Sequence, residues 1–450
     1  MFARAIWLGN KRNDHRYHSI QIITEFENTK NRLQSIRNEY FKNQSIDDNI
    51  RPKITALTNA TIRLKGRLDY ILQTNSKIDF SKTDSLLINI LRISIFGLIY
   101  DSRLPAYAII NSAVELAKKL ANYRAAGFVN AILRKVNIKF QNLPDWESKY
   151  EKEAKWHSIP NWLYKKWAEK YTENDLKLLL AEINKNPPNN IRFSPLEISS
   201  KVLISRLNKY SIKAKKNEDL HNFLKINSGL TAVLETELFK TGKISIQNPA
   251  SGAIINLLDP KEGDLIIDAC AAPGTKTLQI AEKLSDNDLV LASDINPKRV
   301  KMGEDDLNRH NLKNIKWSVK DAACDSFQPV KKILIDAPCS GTGVLARRPD
   351  IRWRRKKSDI ERFSELQFMI LNNMSKYLLR DGIIVYSTCS LEEEENWSVI
   401  QRFLNLNSKF VIVPAKLDYP KSWINSMGCI ETLPHIHDVD GMFAAKLKRN

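Results

Sequence analysis

From about residue 244 onward, short apolar runs repeatedly end in an acidic residue: LIID closes at Asp268, LVLASD at Asp294 and KILID at Asp336. GIIVYS over 382–387 is another such run, and FVIV and MFAAKL supply later ones, with helical stretches between several of them. Strands alternating with helices predict a doubly wound α/β sheet of the Rossmann-like kind, which puts ligands at the carboxyl ends of its strands. The first ~140 residues obey a different rule. Asp84 is placed to cap a helix over Ser85 to Tyr100, Pro105 opens a second, and AAGFVNAILRKV over 125–136 makes a third. In the second, Ile109, Ile110, Ala113, Leu116, Ala117 and Leu120 share one apolar face. The N-terminal third is therefore expected to be an all-helical bundle.

Between these regions the pattern changes twice. Asn142-Leu143-Pro144 reads as one boundary, and Asn186-Pro187-Pro188-Asn189-Asn190 breaks the chain again. NIRFSP then reads as a short strand and LEISSKVLISRLNKY as a helix. The expected organisation is a helical domain over 1–143, a small α+β connector over 144–240 and an α/β domain over 241–450. Trp156, Trp162, Tyr164 and Trp167 lie among lysines, the composition of a base-stacking surface, although tryptophans at helical spacing are more often core.

Composition narrows the class. Hydrophobic residues make up 43% and charged residues 27%, as in a globular chain, and 70 Lys/Arg against 51 Asp/Glu leave a net charge of +19. That charge points to a polyanionic partner. The longest apolar run, LLINILRISIFGLIY, is 15 residues long and carries Asn89 and Arg92. A spanning helix needs roughly 20 apolar residues, so a core helix is expected and no membrane partner. No secretory h-region is visible and five cysteines make no disulfide framework, so a cytoplasmic, reducing setting is expected. A monomer is the default. Neither His435/His437 nor any cysteine pair has zinc spacing, so no metal is expected.

Three segments carry chemistry. In Asp268-Ala-Cys-Ala-Ala-Pro-Gly-Thr-Lys-Thr a strand gives way to a turn and a helix, with backbone N–H groups free to meet an anionic ligand group. The segment is neither a Walker P-loop nor G-x-G-x-x-G. Asp294 comes 20 residues after Gly274 at the end of the next strand, where a carboxylate accepts ribose hydroxyls, and Asp321 follows a third strand. Together these outline a nucleoside-containing cofactor. The other two segments, Asp336-Ala-Pro-Cys339-Ser-Gly and Tyr386-Ser-Thr-Cys389-Ser, put two cysteines on the same sheet edge. A lone cysteine is usually a small buried hydrophobe, but two in one cleft suggest thiolate chemistry. From Arg347 to Arg362 the chain holds eight Lys/Arg and three Asp/Glu, and Arg347, Arg348, Arg352, Arg354 and Arg355 read as phosphate contacts. The acidic run Glu392 to Glu395 reads mostly as a solvated helix N-terminus.

The set DACAAPGTKT, DAPCSGTG and YSTCS resembles the S-adenosylmethionine-dependent RNA cytosine-C5 methyltransferases of the Sun/Fmu group. LRISIFGLIY, LPAYAIINSAVELAKK and GFVNAILRKV are similar to the NusB-like RNA-binding domain that precedes the catalytic domain in bacterial members, and QNPASGAIINLLDP and DGMFAAKL also fit. The resemblance covers nearly the whole chain and implies S-adenosylmethionine as cofactor and cytosine C5 of small-subunit ribosomal RNA as the target. It implies Cys389 as nucleophile, Cys339 as the residue assisting product release, and Asp336 at the N3/N4 edge of a flipped base. Cofactor residues carry over to Cys270, Ala271, Ala272, Pro273, Gly274, Thr275, Lys276, Asp294, Asp321 and Asp336, with Lys276 also counted in the catalytic group. The family usually has Pro-Gly-Gly-Lys where this chain has Thr275; a position needing positive φ would strain a β-branched residue there. A non-catalytic RNA-binding assembly factor would share the helical domain and the charge, but would not need both thiols, Asp336 and Lys276. The same chemistry on transfer RNA or large-subunit rRNA is opposed only by the N-terminal resemblance.

Overall fold

A computed structural model describes residues 14–101, 103–140, 153–227, 229–416 and 420–450. The boundary expected at Asn142 to Pro144 lies outside them. The chain forms two compact units, one of residues 1–186 with 345–354, the other of residues 187–344 with 355–450. The connector expected over 144–240 therefore contributes to both, and the break falls at Asn186-Pro187. A proline there cannot continue a helix and biases the residue before it to extended backbone.

The first unit is helical. Its elements are α1 (His15–Asn28), α2 (Leu33–Asn43), α3 (Arg51–Arg63), α4 (Lys65–Asn75), α5 (Ser85–Tyr100), α6 (Ala106–Leu120), α7 (Tyr123–Lys139), α8 (Asn161–Lys170) and α9 (Glu173–Glu182). The Asp84 side chain accepts from Leu86 N at 2.8 Å at the start of α5, and Asn122 accepts from Ala125 N at 2.9 Å at the start of α7. These caps satisfy N–H groups that a helix leaves open. The apolar face read on α6 is the buried one: Ile109, Ile110, Ala113, Leu116 and Ala117 are covered. The two polar interruptions of α5 point inward. Arg92 is 3% exposed and pairs with Glu27 at 2.7 Å and Asp69 at 2.6 Å, with Asn89 accepting from it at 2.8 Å. A buried guanidinium persists because both charge and hydrogen bonds are matched. Trp156 and Trp167 are fully buried, so these two serve packing and not base stacking.

The basic stretch of the sequence enters this unit with a different role from the one expected. Arg352 is 1% exposed, and its guanidinium donates to Arg63 O (3.0 Å), Ser158 O (2.9 Å), Asn184 Oδ1 (2.8 Å), Ile183 O (2.9 Å) and Leu345 O (3.3 Å). Arg354 lies over the Phe26 ring at 3.9 Å and donates to Phe26 O. Arg352 therefore has no surface to offer a phosphate, and Arg354 is bound to its own chain. Five donors in a planar fork suit carbonyls converging from several segments, which a charge count along the sequence cannot reveal. Arg347 and Arg348 are half-buried.

The second unit joins two sheets. The smaller contains β1 (Asn189–Phe193), β2 (Ala214–Lys216), β3 (Phe223–Ile226) and β4 (Ile244–Ile246), all antiparallel in the order β2-β3-β1-β4. Its strand and its helix α10 (Ser200–Asn208) lie where NIRFSP and LEISSKVLISRLNKY predict them. The larger contains β5 (Leu265–Asp268), β6 (Leu289–Asp294), β7 (Ile315–Val319), β8 (Val330–Asp336), β9 (Leu378–Thr388), β10 (Phe410–Ile412), β11 (Ile430–Thr432) and β12 (Met442–Arg449). Its order is β10-β12-β9-β8-β5-β6-β7, with β11 beside β12. Strands β5 to β9 are parallel, and β12 runs antiparallel to β9. The chain winds from β5 outward through β6 and β7, then returns to β8 on the other side, so the switch point lies between β5 and β8. That is where an open α/β sheet leaves a crevice for a ligand. Apolar side chains from both faces of β5, β8 and β9 fill separate cores, including Ile266, Leu334 and Val385 on one side and Ile267, Ile333 and Ile384 on the other. Among the described residues no helix is long and apolar enough to cross a membrane.

Candidate active site

The site lies wholly in the second unit, at the carboxyl ends of β5, β6, β7, β8 and β9. Strand β5 ends at Asp268, and the turn Cys270 to Gly274 leads into the helix Thr275–Ala281. The Ala272-Pro273 bond is cis. Gly274 takes φ +110°, and a Cβ there would meet the Trp317 ring at 2.9 Å. The turn therefore demands glycine at this position for two reasons, conformation and space. Thr275 is already helical, and no positive φ falls on it. The strain considered for Thr275 does not arise, because the preceding residue takes the unusual conformation.

Charged groups gather around this turn. Thr277 Oγ1 donates to Asp268 Oδ2 at 2.7 Å, while Asp268 Oδ1 is buried with no hydrogen-bond partner. Burial, reinforced by Asp336 and Asp294, pushes the Asp268 carboxyl up to about 7. Cys270 is pushed well up as well, by burial and by Asp268. Asp294 accepts from Asn296 N at 3.0 Å and from Arg299 Nη1 at 3.0 Å, and Arg299 also donates to Ala272 O. Asp321 accepts from Ala323 N at 2.9 Å. S-adenosylmethionine carries an ammonium and a sulfonium, so an unsatisfied buried carboxylate oxygen with acidic neighbours is the environment a cationic ligand improves. The residues present fit that cofactor.

The two thiols meet beyond the next pair of strands. Strands β8 and β9 are parallel neighbours with Asp336 opposite Ser387, and the ladder's last bond runs from Ala337 N to Ser387 O at 2.8 Å. Both chains then leave the sheet, and Cys339 Sγ and Cys389 Sγ come within 3.2 Å of each other. Both cysteines are free. The hydrogen bond that its S–H makes to Cys389, burial and the nearby charges push the Cys339 thiol well up, so Cys339 keeps its proton. Lys276 Nζ lies 2.8 Å from Asp336 Oδ2, and Ser387 Oγ donates to Asp336 Oδ1 at 2.9 Å. The carboxylate is thereby fixed in place at the carboxyl end of β8.

The sequence motifs do converge: the turn Cys270 to Lys276, Asp294, Asp321, Asp336, Cys339 and Cys389 all lie along one sheet edge. Of the five arginines read as phosphate contacts, Arg355 is the one in this unit. Its Nε donates to Ser340 O at 2.9 Å and its Nη2 to Cys339 O at 3.3 Å, so it braces the thiol loop. Two buried carboxylates have more part in the site than the sequence suggested. Asp268 was legible only as a strand end. Glu395, with Glu392, is 0% exposed, so the acidic run is not mainly a solvated helix start. Only Glu393 of the four is exposed.

Comparison with known proteins agrees with this arrangement. Residues 13–137 match the NusB family, residues 159–232 the ferredoxin-like domain of RsmF/B-like methyltransferases, and residues 255–448 the family described as 16S rRNA methyltransferase RsmB/F. The chain is 29% identical over 442 residues to the probable ribosomal RNA small subunit methyltransferase B of Bacillus subtilis, covering 96% of this chain and 98% of that protein. The crystal structure of PH0851 superposes with TM-score 0.78 over 97% of this chain and 98% of its own, at 24% identity, and so shares the fold. A methyltransferase homolog from Pyrococcus horikoshii superposes with TM-score 0.53 at 28% identity, over 61% of this chain and 90% of its own. The matches follow one another in chain order across nearly the whole sequence: a segment similar to the NusB family comes first, and one similar to the RsmB/F methyltransferases closes the chain.

Proposed function

We propose that Cys389 is the nucleophile of a cytosine-C5 methyl transfer and that Cys339 releases the product. The chain is an S-adenosylmethionine-dependent methyltransferase of cytosine C5 in small-subunit ribosomal RNA. The observation that carries the two cysteine roles is the 3.2 Å separation of the sulfurs at the ends of adjacent strands. Cytosine C5 is a weak nucleophile. Addition of the Cys389 thiolate to C6 opens the C5–C6 double bond and gives C5 the electron pair that takes the methyl group. S-adenosylmethionine supplies that methyl group from its sulfonium. Transfer of the C5 proton to a water molecule acting as base then restores the double bond and expels the Cys389 sulfur. Cys339, held as a thiol within reach, gives its proton to the departing sulfur.

The other residues bind and orient. Asp336, fixed by Lys276 and Ser387, accepts from the N4 amino group of the base, which must be flipped out of any stack to reach it. Residues Cys270 to Lys276, Asp294 and Asp321 would hold the cofactor, and the Asp268 carboxylate would favour its positive charge. Residues 1–143 bind RNA, 144–240 connect, and 241–450 catalyse. A reducing, cytoplasmic setting fits the five free cysteines, and a monomer is the default.

The test is an adduct assay. Cys339→Ala protein is mixed with unmodified small-subunit rRNA and S-adenosylmethionine and run on a denaturing gel. An RNA–protein band that disappears in the Cys339→Ala/Cys389→Ala double variant is expected. Normal methylation by Cys389→Ala protein would overturn the assignment of the nucleophile.

A further inference from the structure

The ladder between β8 and β9 stops at Ala337 and Ser387, before either cysteine is reached. The spacing of the sulfurs therefore depends on what joins the two loops beyond the sheet. Glu395 does so. Its Oε1 accepts from Ser340 N at 2.7 Å and from Gln367 Nε2 at 3.1 Å. Its Oε2 accepts from Ser390 Oγ at 2.5 Å and from Ser340 Oγ. Ser340 follows Cys339 and Ser390 follows Cys389, and their hydroxyls lie 3.1 Å apart. The backbone of Glu395 is held in turn, because Tyr386 Oη donates to its carbonyl at 2.6 Å. On the far side of the same segment, Arg355 grips the carbonyls of Cys339 and Ser340.

A carboxylate is suited to this place because its oxygens accept several hydrogen bonds at once and it offers no competing donor when ionised. Full burial opposes the charge and pushes the Glu395 carboxyl up, and the hydrogen bonds from Ser340, Ser390 and Gln367 offset part of that cost. We propose that Glu395 is a positioning residue for the covalent step: its carboxylate fixes the distance between the Cys339 and Cys389 thiols by holding the serine that follows each. The proposal rests on the reading of the two cysteines given above. The hydrogen bonds of the Glu395 carboxylate go to Ser340, Ser390 and Gln367, so it acts through the two serines.

Glu395→Gln and Glu395→Met separate this role from simple packing. Both side chains are close to glutamate in length. Glutamine still accepts the Ser340 N–H with its oxygen, and its amide donates to the two hydroxyls; methionine does neither. With methionine, kcat on rRNA is expected to fall about 10–100-fold, as for a misplaced reacting group, while KM for RNA and cofactor affinity hold. Glutamine is expected to restore most of that loss. A readout without RNA accompanies it: the rate at which diamide closes a Cys339–Cys389 disulfide, followed by mass and by protection from alkylation. Closure is expected near the wild-type rate in Glu395→Gln and slower in Glu395→Met. Equal kcat and equal closure in the two variants, or losses that merely follow the fraction folded, would overturn the proposal. If Glu395→Met does not fold, Ser390→Ala carries the test, and wild-type kcat with wild-type closure there overturns it. Failure of the wild-type protein to methylate rRNA would count against the reading of the cysteines, while the closure rates would still judge Glu395.

Discussion

Asp268 is a carboxyl whose proton affinity is set mainly by its lack of water. Its folded value, about 7, stands above the ordinary 3.8, so the native state holds a proton that the unfolded chain releases. The stability this contributes is full below about pH 4 and is lost as pH rises through about 7, on the order of a few kcal/mol. Asp268→Asn is expected to remove that dependence. Urea melts of both proteins at pH 5 and pH 8 check this: the wild type should lose ground to the variant between the two, and a constant difference would refute the assignment. A cationic ligand at Asp268 should also drive its proton off, so S-adenosylmethionine binding near pH 6.5 is expected to release protons, measured as a buffer-dependent heat. The residues of the site differ in how far the sequence exposed them. Cys339 and Cys389 were legible because each lies within three residues of the end of an apolar run, which places it just past a strand's carboxyl end. Glu395 was not, because one buried carboxylate within four consecutive glutamates looks like its solvated neighbours until the turn is seen.

Gly343 shows how elements constrain the site. It lies in the short turn Thr342–Val344, its N–H donates to Cys389 O at 3.0 Å, and its carbonyl accepts from Gly441 N at 2.9 Å. A Cβ on Gly343 would stand 2.1 Å from Gly441 O, which is backbone and cannot swing away. Gly343→Ala is expected to cost about 1–3 kcal/mol and to displace the Cys389 loop. The melting temperature should fall, and kcat should fall by more than the folded fraction explains; unchanged values in both would show that the loop yields freely. At this scale the strands and the helices were largely visible in sequence, because burial writes its period into the chain. Ser85–Tyr100 emerges with the limits its cap predicts. What periodicity does not carry is register. The pairing of Asp336 with Ser387, on which the meeting of the sulfurs depends, belongs to two segments about fifty residues apart and is fixed by packing on both faces of the sheet.

Across the whole molecule, the +19 charge and the separate work of individual arginines are different quantities. Arg352→Met leaves several buried acceptors without a donor and is expected to cost at least about 2 kcal/mol of stability. Arg348→Ala is expected to leave stability nearly unchanged and to flatten the salt dependence of RNA binding. Thermal melts and binding titrations from low to moderate salt separate the two, and a flattened slope without destabilisation in Arg352→Met would restore the phosphate-contact reading. The return of residues 345–354 to the first unit has a consequence in time. A ribosome releases Asn186 long before Arg352, with about 170 residues still to come, roughly 10–30 s at ordinary rates of synthesis. Throughout that interval the carbonyls of Arg63, Ser158 and Ile183 lack the guanidinium that finally binds them. The helical unit thus stays unfinished on the nascent chain until Arg352 has been made, by which time Cys339 is already present.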